Sequence, residues 1–284
     1  MYRIGTDFKA VNNGQPYVDA ASCWWSASRE EGWSSAAPAR ANVVLREGVD
    51  GQTASNLLTS GRPIILGGTV RAPDQMRLQA AIDQVEALLA GDVRQDWLYV
   101  AEPHVTRRAL VRRDQGTPQV AKMSPFTATW LLQLVADDPL RFGTDLVTST
   151  RLPSVTGGLT IPFTIPFTIS STVVSGSCSL FNPGRITGPV RLRIDGPCAG
   201  PIVTHVGSGL ALVFASSLVI NAGEWLTVDM RAQTVLLNDL SSRAGYLTSA
   251  GFSGFEPGLN EWAFTNAIYD PAALLTVTAA PAWP

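Results

Sequence analysis

The 284-residue chain has no surplus of either charge, since Lys+Arg 21 against Asp+Glu 23 leaves a formal net charge of -2. A dedicated nucleic-acid binder displaces counterions with a basic excess, so that class is disfavoured. Histidine is scarce: only His104 and His205 occur, far apart, and no Gly-x-Ser-x-Gly elbow accompanies either. Acid–base chemistry therefore has few groups to draw on, and both histidines read as structural. The three cysteines, Cys23, Cys178 and Cys198, are odd in number and lack Cys-x-x-Cys spacing. They indicate neither a disulfide framework nor a zinc site, and no metal or cofactor is expected. No apolar run approaches the roughly 18 residues of a membrane span, and no apolar segment follows Met1-Tyr2-Arg3-Ile4 as a secretory signal requires. Synthesis in a cytoplasm without membrane insertion is the expectation. Paired carboxylates for glycoside cleavage are also missing: Asp137 and Asp138 are neighbours on a strand end and diverge. Asp195, Glu224, Asp229, Asp239, Glu256 and Glu261 fall mostly at turns or strand ends, where exposed solvating charges are ordinary.

What is present is apolar and aromatic. Hydrophobic residues make up 45% of the chain, enough for a real core, and the length suits two domains. Charged residues make up only 15%, with 8 Trp, which suggests surface buried against partner subunits. One helix is predicted over about 73–90, opening at Pro73 and stopping before Gly91. Leu78, Ala81, Ile82, Val85, Leu88 and Leu89 recur at spacings of three and four, forming a face that packs on a sheet. Strand candidates surround it at 41–46, 62–70, 96–101, 106–113 and 126–136, rich in β-branched and aromatic residues. Residues 1–151 thus read as an α+β domain with one helix on a sheet.

From about Leu152 charge thins out and Thr, Ser, Gly and Val take over, which places the boundary there. The segment from Gly157 to Ile169 repeats Ile-Pro-Phe-Thr-Ile, overlapping at Ile165; Pro162 and Pro166 remove ladder donors and predict an edge strand or linker. Short strand candidates come next, at 172–181, 190–194, 202–206, 210–214, 226–230, 234–237, 259–264 and 274–278. Turn chemistry separates them at Asn182-Pro183-Gly184, Asp195-Gly196-Pro197, Asn221-Ala222-Gly223 and Glu256-Pro257-Gly258. Residues 152–284 read as a β-sandwich, making the chain mainly β.

These turns stand in an order that resembles the distal tail proteins of siphophages. The similarities lie at Phe181-Asn182-Pro183-Gly184, then Gly188 to Gly196, Gly223 to Asp229, Thr234 to Asn238, and Phe255 to Phe264. In the first half, Val49-Asp50-Gly51, Arg62 to Gly68, the predicted helix and Trp130 to Phe142 are similar to the same family. Residues 1–40, with Cys23-Trp24-Trp25 and Trp33, depart from its shorter starts. The resemblance implies an N-terminal belt domain, a C-terminal galectin-like sandwich, and a structural role without enzymatic activity. It further implies a homo-hexameric ring at the distal end of the tail, part of the virion tail tip or baseplate. The implied partners are the tail tube protein, other tail-tip proteins, and DNA as cargo passing through the ring.

Candidate contact residues emerge from their chemistry. Arg107, Arg108, Arg112 and Arg113 flank Ala109-Leu110-Val111, and suit an exposed solvated hairpin, an acidic face of a neighbouring subunit, or DNA in a channel. Trp24, Trp25 and Trp33 read as subunit-interface or core anchors. Trp225 and Trp262 lie on sandwich strands, where core packing competes with stacking on a host cell-wall glycan. The alternative function is accordingly a carbohydrate-binding adhesion module.

Overall fold

A computed structural model of the chain describes residues 1–6, 8–11, 16–41, 43–54, 56–91, 95–114, 116, 118–157, 171–174, 176–266 and 269–284. They form two compact units, Met1–Gly143 with Pro284, and Thr144–Trp283. The division precedes the expected 151/152 boundary because Leu146–Arg151 is a strand of the second unit. It pairs along its whole length with Leu274–Ala279, from Leu146↔Ala279 to Arg151↔Leu274. The duplicated Ile-Pro-Phe-Thr-Ile segment lies outside the described residues.

In the first unit the strands run in the order Phe8–Ala10, Tyr2–Ile4, Asp96–Ala101, Thr106–Arg113, Thr127–Ala136, Arg62–Arg71, Trp24–Glu31, Tyr17–Val18, with Gln119–Ser124 added on Thr127–Ala136. The sheet curls back on itself: Val11 bridges Ser26, and the Ala27 N–H donates to Val11 O at 2.9 Å. Strict alternation explains the core. Ala128, Trp130, Leu132, Leu134 and Ala136 face inward from one strand, and Ile64, Leu66 and Val70 from its partner. Gly68 lies between them because a Cβ there would meet Ser26 O at 1.8 Å and Trp130 at 2.8 Å. The helix, Gln75–Ala87, buries Leu78, Ala81, Ile82 and Val85. It starts later than Pro73 because Asp74 is the N-cap, its side chain accepting from the Arg77 N–H at 2.8 Å. It ends early because Leu89 turns left-handed, at φ 53°, with Gly91 two residues on at φ 100°.

The second unit packs two sheets around one core. One sheet has the order Leu146–Arg151, Leu274–Ala279, Val190–Asp195, Trp225–Asp229, Thr234–Leu237, Ser241–Ser242; the other is Ser177–Asn182, Gly258–Thr265, Ile202–His205, Leu210–Phe214, Leu247–Ala250. Leu192, Ile194, Leu226, Val228, Leu275, Val277, Phe255, Trp262 and Phe264 are fully buried between them. Each such side chain contributes roughly 1.5–3 kcal/mol. The expected single run 172–181 is two strands, Ser171–Val174 and Ser177–Asn182, interrupted at Gly176 with φ 71°.

The turn motifs have visible jobs. Asn182 is 1% exposed; its carbonyl oxygen accepts from the Gly184 N–H at 2.7 Å and its amide donates to Phe255 O at 2.7 Å. An Asn-Pro-Gly turn is thereby pinned to the Phe255 segment of the same unit. Asn260 does the same for Glu256-Pro257-Gly258, accepting from the Glu256 N–H at 2.9 Å and donating to Glu256 O and Gly258 O.

Candidate assembly surface

Between Pro38 and Thr59 the first unit carries an arm that its own core does not cover. Two short ribbons build it, Ala39–Arg40 with Leu58–Thr59 and Val43–Leu45 with Gln52–Ala54. Gly48 and Gly51, both at positive φ, allow the tight reversal between Leu45 and Gln52. Every described residue from Pro38 to Thr59 is exposed except Ala41, which is half-buried. Among them are Val44, Leu45, Val49 and Leu57, the last 74% exposed. A run of three consecutive apolar residues, Val43-Val44-Leu45, reads in sequence as a buried strand. Here its two faces both meet solvent, so its pattern alone does not reveal a contact surface.

The root of the arm is held hard. Arg62 is 0% exposed, with Nε donating to Pro139 O at 3.0 Å and Nη1 to Gly32 O at 3.0 Å, Trp33 O at 3.3 Å and Ser35 O. Burial, and then the charge of Arg141, pull its pKa down to about 10, which still leaves it cationic at neutral pH. Arg141 donates to Trp33 O at 2.9 Å, and the indole N–H of Trp33 donates to Glu102 at 3.1 Å. Glu102 is in turn paired with Arg107 at 2.9 Å. The chain entering the arm is thus fixed by charge-assisted bonds to its backbone carbonyls.

At the other end of the Arg62–Arg71 strand an open cavity of about 360 Å³ is lined by Ser22, Trp24, Arg71, Ala72, Pro73 and Phe126. Trp24 is 50% exposed and Phe126 47%, so two aromatic rings flank it. Trp24 pairs with Arg71 in the sheet, and the Ala72 N–H donates to Phe126 O at 2.9 Å, which keeps the walls together.

Of the other tryptophans read as interface or core anchors, Trp25 and Trp33 belong to the core, at 2% and 1% exposure. Trp25 packs edge-on against Phe8 and donates to Asp19 at 2.8 Å. The arginines of the strand Thr106–Arg113 each have partners within the first unit. Arg107 pairs with Glu102, Arg108 stacks on Trp97 with its guanidinium carbon 4.6 Å from the ring centre, and Arg112 grips Asp137 at 2.8 Å. Arg113 donates to Leu88 O at 2.6 Å and to Glu86 O, satisfying the last carbonyls of the helix. Burial lowers the pKa of Arg113.

In the second unit Trp262 is fully buried, between His205 and Phe255, and so offers no face to a glycan. Trp225 is half-buried on the outer face of its sheet; Arg193 lies over its ring at 4.5 Å and Asp239 accepts its indole N–H at 3.1 Å. The stacking face that a sugar would use is shared with a guanidinium. His205 is 2% exposed, with Nδ1 2.8 Å from the Ser208 hydroxyl and Nε2 3.1 Å from the side-chain oxygen of Asn260. Because the Asn260 amide is committed to two carbonyls, its oxygen faces the ring and Nε2 carries the proton. His104 lies in the first unit and is exposed. All three thiols are buried; desolvation raises Cys23 and pushes Cys178 up to about 11 and Cys198 to about 12. Among the described residues no group of three or more His, Cys, Asp or Glu could hold a metal ion. Among them, too, no helix is long and apolar enough to cross a membrane.

No protein-family model and no curated protein matches the chain. Solved structures do. The SPP1 Dit protein, described as a paradigm of the hub adsorption apparatus in phages infecting Gram-positive hosts, aligns over 91% of this chain and 93% of its own, with 14% identity and a TM-score of 0.60. This chain shares its mainly β fold. Chains of the phage P2 baseplate in its activated conformation align too. The Ca form covers 93% of this chain and 92% of its own at 9% identity and TM-score 0.46. The Sr form covers 92% and 91% at 10% identity and TM-score 0.44.

Proposed function

We propose that the chain is a structural subunit of a phage tail tip, a distal tail protein whose first unit assembles with copies of itself. The observation that carries this reading is the alignment of both units, over 91% of the chain, with the SPP1 Dit protein. Six copies close a ring that joins the tail tube to the tip or baseplate, the second unit docks other tail-tip proteins, and DNA passes through as cargo. The site of action is the distal end of the virion tail. Mechanism here is assembly by heterologous contacts that close on themselves, not turnover. The chain's own chemistry agrees. His104 and His205 lie in different units, His205 is enclosed by Ser208, Asn260 and Trp262, and the thiols are buried and held protonated. Light scattering on the purified chain and negative-stain images are expected to show a closed ring. A chain that stays monomeric at high concentration and does not associate with tail tube protein refutes the proposal.

A further inference from the structure

We propose that Ser208 in the second unit is a nucleophile that takes an acyl group from a carboxylic ester, with His205 as its base. This goes beyond the assembly reading and does not rest on it. Both residues belong to the reversal between the strands Ile202–His205 and Leu210–Phe214, which Gly209 completes at φ 69°. That turn brings the Ser208 hydroxyl within 2.8 Å of Nδ1. The Asn260 oxygen holds the ring proton on Nε2, so Nδ1 offers its lone pair and the hydroxyl donates to it. Ser208, His205 and Asn260 thus form a continuous relay of the kind that activates a weak nucleophile.

Burial divides the roles. The imidazole is 2% exposed and lies beside Trp262, with ring centres 5.4 Å apart, so water does not compete for Nδ1. Ser208 is exposed, and the glycines on either side leave its approach open. A Cβ on Gly209 would meet nothing within 4 Å, and one on Gly207 would meet only His205, at 3.6 Å. The Leu210 N–H, 3.4 Å from Oγ, occupies one lone pair of that oxygen and leaves the other for attack. The Gly207 and Ser208 N–H groups have no acceptor among the described residues, which leaves two donors near the hydroxyl for the oxygen of a reacting carbonyl. Val206 and Leu210, 51% and 43% exposed, flank the turn, so an ester with an apolar acyl or aryl group suits it. In the step, Oγ bonds to the carbonyl carbon and its proton passes to Nδ1. The bond from that carbon to the leaving oxygen breaks with its electron pair, and the proton on Nδ1 goes to that oxygen. Ester and Ser208 become acyl-Ser208 and an alcohol, one acyl group per chain.

The test uses the full chain and para-nitrophenyl butyrate near neutral pH. An imidazole supported by an amide and not a carboxylate works at the low end of general-base catalysis, so Ser208 should acylate at least about tenfold faster than any other serine, read by peptide mass spectrometry. Ser208→Ala, at an exposed position, should melt as the parent does and lose that fast label. Ser208→Cys reads the base directly. The native thiols are buried, so iodoacetamide reports on the new one, which should react at least about tenfold faster than the thiol of Ser179→Cys, at another exposed position. Butyryl groups spread evenly over the serines overturn the proposal. So does a Ser208→Cys thiol no faster than the Ser179→Cys control, since the imidazole would then only brace the turn.

Discussion

Arg62→Met tests whether the root of the arm is held by the guanidinium or only accompanied by it. Removing the guanidinium takes donors from Pro139 O, Gly32 O and Ser35 O, while Trp33 O keeps Arg141. Gly32 and Pro139 are half-buried and Ser35 is exposed, so water replaces part of each lost bond and each carbonyl costs an amount toward the lower part of about 1–3 kcal/mol. Relief from burying a cation offsets part of that sum, so the expected net loss is about 2–4 kcal/mol. At a urea slope near 2 kcal/mol/M, the midpoint of the first unit should fall by about 1–2 M. The second unit has its own separate core, so its transition should stay where it is. Trypsin should also cut faster at Arg40 and Arg46, because the strands of the arm lose their anchored origin. Arg62→Lys should recover only part, since one ammonium cannot reach carbonyls from three directions. An Arg62→Met chain as stable as its parent, with unchanged cleavage of the arm, would refute the clamp.

Trp262→Ala should cost the second unit about 3–5 kcal/mol by urea unfolding, as a fully buried indole is lost. Trp262→Phe should cost less, since the buried indole N–H has no partner to lose; equal losses would show a hidden hydrogen bond. Arg107→Glu with Arg112→Glu should destabilise the first unit, most of it through Arg107, because Arg112 and Asp137 form an exposed pair worth about 0–1 kcal/mol. Ring assembly measured by light scattering should be unaffected, and a selective loss of assembly would return these arginines to an interface. Ellman's reagent at mildly alkaline pH should find no fast thiol in the folded chain and three after denaturation, because Cys178 and Cys198 ionise only near 11 and 12 and Cys23 is buried. A rapid thiol in the folded chain would contradict the burial.

Periodicity carried most of the fold, and where it failed the reason is local. Alternation at 127–136 and 190–195 and the three-and-four spacing of the helix place their buried faces directly, because one side of each element meets a core. Trp24–Glu31 escapes that test. Its burial pattern is broken by a bulge between Ala27 and Arg29, so apolar residues do not alternate to the end. Leu146–Arg151 escapes for a different reason: Thr148 and Thr150 take its less exposed positions in place of larger apolar residues. The arginine strand shows the limit of charge as a signal. Four arginines on one strand look like a surface offered outward, but each finds a carboxylate, a ring or a helix end only after folding brings residues from elsewhere in the chain. Trp24 and Trp25 are adjacent in sequence and point to opposite faces of one strand, so a single tryptophan signal resolves into one core residue and one surface residue.

The arm and its root make sense only together. A two-stranded ribbon alone is marginal in water, and this one exposes aliphatic side chains on a chain with few charges. Each exposed Val or Leu of the arm forgoes burial worth about 1–2 kcal/mol. A disordered tail would not need Arg62, Arg141 and Trp33 committed to its base. A buried cation that spends its donors on the carbonyls of residues 32–35 is costly, and it gives the arm a fixed origin. Direction matters when the far end must meet a fixed target on another body, because the entropy lost in docking is then lost once, in folding.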